Sequence, residues 1–182
     1  MITELKKDYQ ERIIPQLKTQ FQYGNLHQVP KLVKINVSCG LGLNAQNNTF
    51  LQKSIEEVRI ITGQQPLLTK AKKSIAGFKV RKDMPLGLKT TLRRKKMYAF
   101  LTRLIHLVLP RIRDFRGLPT TGFDRYGNYS LGLSEQLVFP EISYDDVDQK
   151  RGFNITIVTT AQTPEEAFAL LQELGVPFRN KA

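Results

Sequence analysis

Eleven basic side chains fall between Lys70 and Lys96, and Asp83 is the only acid in that window. They are Lys70, Lys72, Lys73, Lys79, Arg81, Lys82, Lys89, Arg93, Arg94, Lys95 and Lys96, with Gly77, Phe78, Met84, Pro85 and Gly87 among them. A segment that combines cations, glycine and an aromatic ring can follow a phosphate backbone and stack an unpaired base. Residues 70–86 are long for a connection, and such loops are usually functional or disordered. Six of the bases lie in that stretch, too many for a face packed on a core. The expectation is a protruding loop that meets a polyanion through Lys70, Lys72, Lys73, Phe78, Lys79, Arg81 and Lys82. The alternative is an ordinary strand pair with Ile75 and Val80 turned inward.

Other chemistry has less support. Gly40-Leu41-Gly42-Leu43-Asn44-Ala45 matches a dinucleotide fingerprint and follows a strand, the one enzymatic hint in the chain. That fingerprint needs a helix to open at once and an acid to end the next strand. Asn47 and Asn48 delay the helix, and the next strand candidate ends at Thr69-Lys70. A tight turn that needs glycine for backbone reasons is the simpler reading. His27 and His106 lack metal-ligand spacing, and His106 reads as a helix-edge residue. Cys39 has no Cys-x-x-Cys partner and reads as a buried structural thiol. Asp145, Asp146 and Asp148 lack the glycine and distal Glu of a calcium loop and read as a solvated turn. The sequence therefore implies no catalytic residue, no metal, no cofactor and no small-molecule substrate.

These groups need a scaffold. The chain has 182 residues, 41% of them hydrophobic, an ordinary supply for one folded domain. The formal net charge is +12, and a compact domain with that excess repels itself until a polyanion relieves it. From Glu141 onward, seven acids outnumber four bases (Lys150, Arg151, Arg179 and Lys181), so the charge is polarised along the sequence. One cysteine permits no intrachain disulfide. The sequons at Asn36, Asn47, Asn128 and Asn154 carry no weight without a secretion signal. No stretch has the length to span a bilayer. A reducing interior compartment and no membrane partner are expected.

Hydrophobic periodicity predicts the elements. Ile2, Leu5, Tyr9, Ile13 and Leu17 mark an amphipathic helix over 2–20, with Glu4, Lys6, Lys7 and Glu11 elsewhere on it and Pro15 expected to kink or end it. Lys31–Cys39 alternates as a strand, with Val33, Ile35 and Val37 on one face and Lys34, Asn36 and Ser38 on the other. Leu51, Ile55, Val58 and Ile61 mark a helix over 49–62, stopped by Gly63. Pro66–Thr69 and Gly87–Arg93 read as strands, the latter with Lys89, Thr91 and Arg93 on its polar face. Residues 95–109 read as a helix with Met97, Phe100, Leu101, Leu104, Leu107 and Val108 inward, ended by Pro110. Gly152–Thr160 is the clearest strand, with Asn154 and Thr156 opposite Phe153, Ile155 and Ile157. Thr163, Pro164 and Glu166 form a helix start with a capping box. The fold class expected is α+β, an antiparallel sheet with helices on one face and an extended basic loop. Residues 1–182 read as a single RNA-binding domain. Lys34, Asn36, Ser38, Lys89, Thr91, Arg93, Asn154 and Thr156 would share the open face.

Six motifs occur in order: His27-Gln28-Val29-Pro30, Ile61-Thr62-Gly63-Gln64, Thr69-Lys70-Ala71-Lys72-Lys73-Ser74, Pro110 to Gly117, Gly127-Asn128-Tyr129-Ser130 and Phe139-Pro140-Glu141-Ile142. Together they resemble the universal ribosomal protein L5 family, over essentially the whole chain. Lys96-Met97-Tyr98-Ala99-Phe100 leans toward its plastid or cyanobacterial branch. The resemblance implies a structural constituent of the large subunit, in the central protuberance of a plastid-stroma or bacterial-cytoplasm ribosome. It implies four partners: 5S rRNA on the sheet, large-subunit rRNA, peptidyl-site tRNA on the extended loop, and a small-subunit head protein. The family's 5S-binding positions match Ser38, Gln64 and Thr91. With the polar-face residues this gives a 5S set of Lys34, Asn36, Ser38, Gln64, Lys89, Thr91 and Arg93. The chain departs from the family pattern at Ser38 (usually Asn), Leu43 (Glu), Arg94 and Arg125 (Gly) and Asn154 (Asp).

Overall fold

The computed structural model describes residues 2–144 and 147–179, with side chains from residue 5. The side chains of Ile2 and Glu4, together with Asp145, Asp146 and Lys181, lie outside the described residues. The strands are β1 (Leu32–Gly40), β2 (Leu67–Lys70), β3 (Pro85–Leu92), β4 (Tyr129–Leu133) and β5 (Phe153–Thr159). They form one five-stranded antiparallel sheet in the order β2-β3-β1-β5-β4. The α-helices are α1 (Ile2–Asp8), α2 (Ile14–Gln20), α3 (Asn48–Thr62), α4 (Arg94–Arg103) and α5 (Pro164–Glu173). The expected α+β class is the one observed.

The chain divides into two compact units. The first comprises Met1–Ile35, Arg93–Leu131 and Thr156–Ala182. Its buried residues include Ile13, Leu17, Phe100, Leu101, Leu104, Leu170 and Leu171. Pro15 does not end the first helix. A π-helical turn over Tyr9–Ile13 joins α1 to α2, and Pro15 sits in the first turn of α2, directly after it. A second π-helical turn, Leu104–Val108, extends α4. It shifts the helical phase, so Ile105 is buried while Leu107, expected inward, is 47% exposed. Thr163 caps α5 by accepting the Glu166 N–H at 3.3 Å. The Glu166 carboxylate reaches one residue beyond the expected box and accepts the Gln162 N–H at 2.8 Å.

The second unit comprises Asn36–Leu92 and Gly132–Ile155. Strand alternation holds well here: Val37 and Cys39 on β1, Leu88 and Leu92 on β3, and Phe153 and Ile155 on β5 are buried. Val33, at the other end of β1, is 41% exposed and does not join the inward set. β2 and β3 pair antiparallel with Leu67 opposite Lys89 and Thr69 opposite Gly87. α3 buries Leu51, Ser54, Glu57, Val58 and Ile61, and leaves Ile55 half-buried. Gly63 ends it in a left-handed conformation, φ +65°, as its position predicted. Glu57 is buried against Arg151, Oε1 to Nη1 2.5 Å, and the guanidinium lies 4.4 Å from the Phe50 ring centroid. Burial pushes the Glu57 carboxyl up, against the opposing pull of Arg151. Gln136, fully buried, accepts the Arg151 N–H and donates to the Gln149 carbonyl, both at 2.6 Å.

Candidate nucleic-acid interface

The end of α3 determines where Gln64 points. Thr62, 2% exposed, donates its hydroxyl to the Val58 carbonyl at 2.7 Å and lies 3.0 Å from the Gln64 carbonyl. With Gly63 in the left-handed region, the chain turns back and the Gln64 side chain reaches β3. Its Nε2 donates to the Thr91 carbonyl at 3.2 Å. The Thr91 hydroxyl in turn donates to Asn36 Oδ1 at 3.0 Å. Two residues along β1, the Ser38 hydroxyl meets the Asn154 carbonyl at 3.4 Å. These four side chains are half-buried.

The unused hydrogen-bonding capacity of this patch is specific. With its oxygen engaged, Asn36 presents an NH2 with two donors. Gln64 keeps its carbonyl oxygen, and Thr91 and Ser38 keep hydroxyl lone pairs. Donors and acceptors held in fixed positions suit base edges and ribose 2′-hydroxyls. Lys89, exposed and two residues before Thr91, adds a cation on the same face of β3. Lys34 and Arg93 belong to the other compact unit. Lys34 follows the alternation of β1 onto the Asn36 side, and Arg93 is the extended, exposed residue that leads into α4.

The basic segment is a hairpin extension of β2 and β3. The Ala71 N–H donates to the Met84 carbonyl at 2.9 Å, and Asp83 N–H to the Ala71 carbonyl at 3.0 Å. Further out, Ile75 and Val80 form an isolated antiparallel bridge, closed by a tight turn over Ala76–Phe78. The Ser74 hydroxyl accepts the Lys82 N–H at 2.9 Å. Ile75 is paired as the strand alternative required, yet it is 49% exposed and not turned into a core. Phe78 is 71% exposed. Lys70, Lys72, Lys73, Lys79, Arg81 and Lys82 are all exposed, and none has an ion-pair partner among the described residues.

The glycine turn does not build a dinucleotide site. A single-turn 3-10 helix over Gly42–Gln46 follows β1, and α3 starts only after the Asn47 cap, whose side chain accepts the Thr49 N–H at 3.0 Å. The N-terminus of α3 is therefore not aimed by the glycines. Gly42 holds φ +58°, while Gly40 has an ordinary φ and open space around it. The requirement for glycine thus falls on Gly42 alone. His27 and His106 are exposed. Burial pushes the Cys39 thiol up to about 11. Among the described residues no cluster of His, Cys, Asp and Glu could hold a metal ion, and no helix is long and apolar enough to cross a membrane.

Sequence reading missed the buried Glu57–Arg151 pair that frames this unit. One signal existed: Glu57 falls at helical spacing with the inward Ser54, Val58 and Ile61. Gln64 stood out only through family resemblance, because a residue beyond a helix end has no periodicity to betray it.

Comparison with known proteins agrees along the whole length. The model of ribosomal protein L5 matches residues 25–81, and that of the ribosomal L5P family C-terminus matches residues 85–178. A protein of Heterosigma akashiwo named large ribosomal subunit protein uL5c is 61% identical over 179 residues, 98% of this chain and 99% of that relative. Proteins of Trichormus variabilis and Nostoc punctiforme named large ribosomal subunit protein uL5 are 60% and 58% identical, each covering 98% of both chains.

Proposed function

The chain belongs to the ribosomal protein L5 family, and from that membership we propose that it anchors 5S rRNA in the large ribosomal subunit. It is a structural ribosomal protein and not an enzyme, borne by the ribosome of a plastid or of a cyanobacterial-type cell. The 5S contact is made by Asn36, Ser38, Gln64, Lys89 and Thr91 of the second unit; Lys34 and Arg93 of the first unit are phosphate-binding positions in their own right. The observation that carries this reading is the linked set Gln64–Thr91–Asn36. Its groups satisfy one another on one side and leave a defined donor and acceptor pattern on the other. Phosphate contacts give affinity, whereas hydrogen bonds to bases and sugars give discrimination.

The hairpin over residues 70–86 serves a second RNA. Its exposed cations and the Phe78 ring suit the backbone and an unstacked base of peptidyl-site tRNA, while other surfaces meet large-subunit rRNA and a small-subunit head protein. The single domain with a protruding loop expected from the sequence is the form this function would use.

The test is the affinity of the full chain for 5S rRNA in Thr91→Ala and Gln64→Ala. Each should weaken binding by about 1–3 kcal/mol, because a buried partner at the RNA interface is left unpaired. Wild-type affinity in both variants would overturn the assignment.

A further inference from the structure

The glycine turn after β1 and the tip of the basic hairpin, both in the second unit, share a cleft of about 480 Å³. Gly42 and Leu43 come from the turn, Gly77, Phe78 and Lys79 from the hairpin tip, and Leu86 from β3. Both sides are held in place. The Leu41 N–H donates to the Leu86 carbonyl at 2.9 Å, which ties the turn to β3. At the tip, the Phe78 N–H donates to the Ile75 carbonyl at 3.3 Å and the Lys79 N–H to the Ala76 carbonyl at 3.0 Å. Leu43 is 44% exposed and Phe78 71%, and apolar side chains gathered in the open around a cleft mark an interaction site. A β-carbon at Gly42 or Gly77 would meet nothing within 4 Å, so bare backbone borders the cleft and a flat partner can approach it closely. Among the described residues that line it, only Lys79 is charged. Arg81 and Lys82 follow on the same hairpin, exposed and with no ion-pair partner among the described residues. The occupant must therefore join a flat, weakly polar body to an anion. An apolar peptide would cover Leu43 and Phe78 and leave the cations unmatched. An acidic peptide would match the cations and leave the apolar lining wet. A nucleotide carries both parts in one residue, a base with π faces and a phosphodiester.

We propose that this cleft receives a single unstacked RNA base, which stacks on Phe78 against Leu43 while its phosphodiester meets Lys79. This rests on the reading of the hairpin as the surface for a second RNA, and it gives the glycine turn a part in that contact. The base must be unpaired, because one inside a duplex has no free face to offer.

The experiment uses the full chain and two RNA duplexes. One carries a single bulged adenosine; the other has an abasic nucleotide in the bulge, with the same phosphates and no base. The wild type should bind the first roughly tenfold more tightly, the order of one base stacked on an aromatic side chain. Phe78→Ala and Leu43→Glu should bind both duplexes alike, with unchanged thermal unfolding midpoints. Lys79→Gln should keep the preference for the base and lower the log–log salt slope by roughly 0.7–0.9 on both duplexes. Thr91→Ala, on the 5S patch, should keep the full preference. Equal affinity of the wild type for the two duplexes would overturn the proposal and leave the cleft to an apolar protein segment. So would a preference that survives Phe78→Ala and Leu43→Glu, or one that Thr91→Ala abolishes, since the base would then lie elsewhere. Failure of the second-RNA reading has a different signature, unchanged tRNA retention on the ribosome when the hairpin is shortened.

Discussion

Two regions of the second unit use polar groups in opposite ways. Around Thr91 the side chains are half-buried, carry little charge and hydrogen-bond to one another, from Gln64 Nε2 at 3.2 Å to Asn36 Oδ1 at 3.0 Å. In the hairpin beyond Lys70 the cations are exposed and have no ion-pair partner among the described residues, and hydrogen bonds within the hairpin help secure it, such as Ile75 N–H to the Val80 carbonyl at 2.9 Å. The first arrangement fixes directions and can discriminate between nucleotides. The second supplies attraction that depends on phosphate density and little on sequence. An RNA-binding protein with both can hold one RNA in register and meet another that must come and go.

Removing the buried ion pair of the second unit should have the largest effect. Arg151→Ala leaves Glu57 buried without its cation, and breaking a buried pair this way costs about 3–5 kcal/mol. Denaturant unfolding should show that loss, and 5S rRNA binding should fail with the fold. At the patch itself, Thr91→Ala should cost about 1–3 kcal/mol of 5S affinity while its unfolding transition stays close to wild type. Such a separation would mark Thr91 as a binding residue. Gly42→Ala forces a β-carbon into the left-handed region and should destabilise by about 1–2 kcal/mol. Gly40→Ala should be clearly milder, because nothing surrounds that position; equal losses would mean that the turn is held for another reason. The smallest change in stability is expected in the hairpin. Replacing the residues between Lys72 and Lys82 with a short turn should shift unfolding by about 1 kcal/mol or less. It should preserve 5S rRNA binding while weakening tRNA retention on the ribosome. A shortened protein that loses 5S rRNA and keeps tRNA would invert the comparison.

The legible parts of this molecule were those with a period. The alternation of Asn36, Ser38, Lys89 and Thr91 followed from the strand repeat, and the helix ending at Gly63 followed from its apolar stripe and its left-handed stop. Features that break a period were hidden. The π-helical turn at Leu104–Val108 exchanges Ile105 for Leu107 on the buried face, and no spacing rule contains it. Val33 should face inward by the strand repeat, yet it is exposed while its neighbour Leu32 is buried, and alternation alone does not reveal such a change of face near a strand end. Partnerships across long separations were invisible as well. Arg151 lies 94 residues from Glu57, and in a basic chain each arginine looks alike until the fold buries one of them. The left-handed backbone of Arg94, φ +52°, was similarly hidden, since sequence gives the residue but not its backbone.

Hydrogen exchange of the full chain, free and saturated with 5S rRNA, tests the division of labour most directly. The backbone around residues 36–38, 64 and 89–91 should gain protection on binding, while residues 74–80 of the hairpin should exchange equally in both states. Protection concentrated in the hairpin, with none around Thr91, would contradict the assignment of the sheet patch to 5S rRNA.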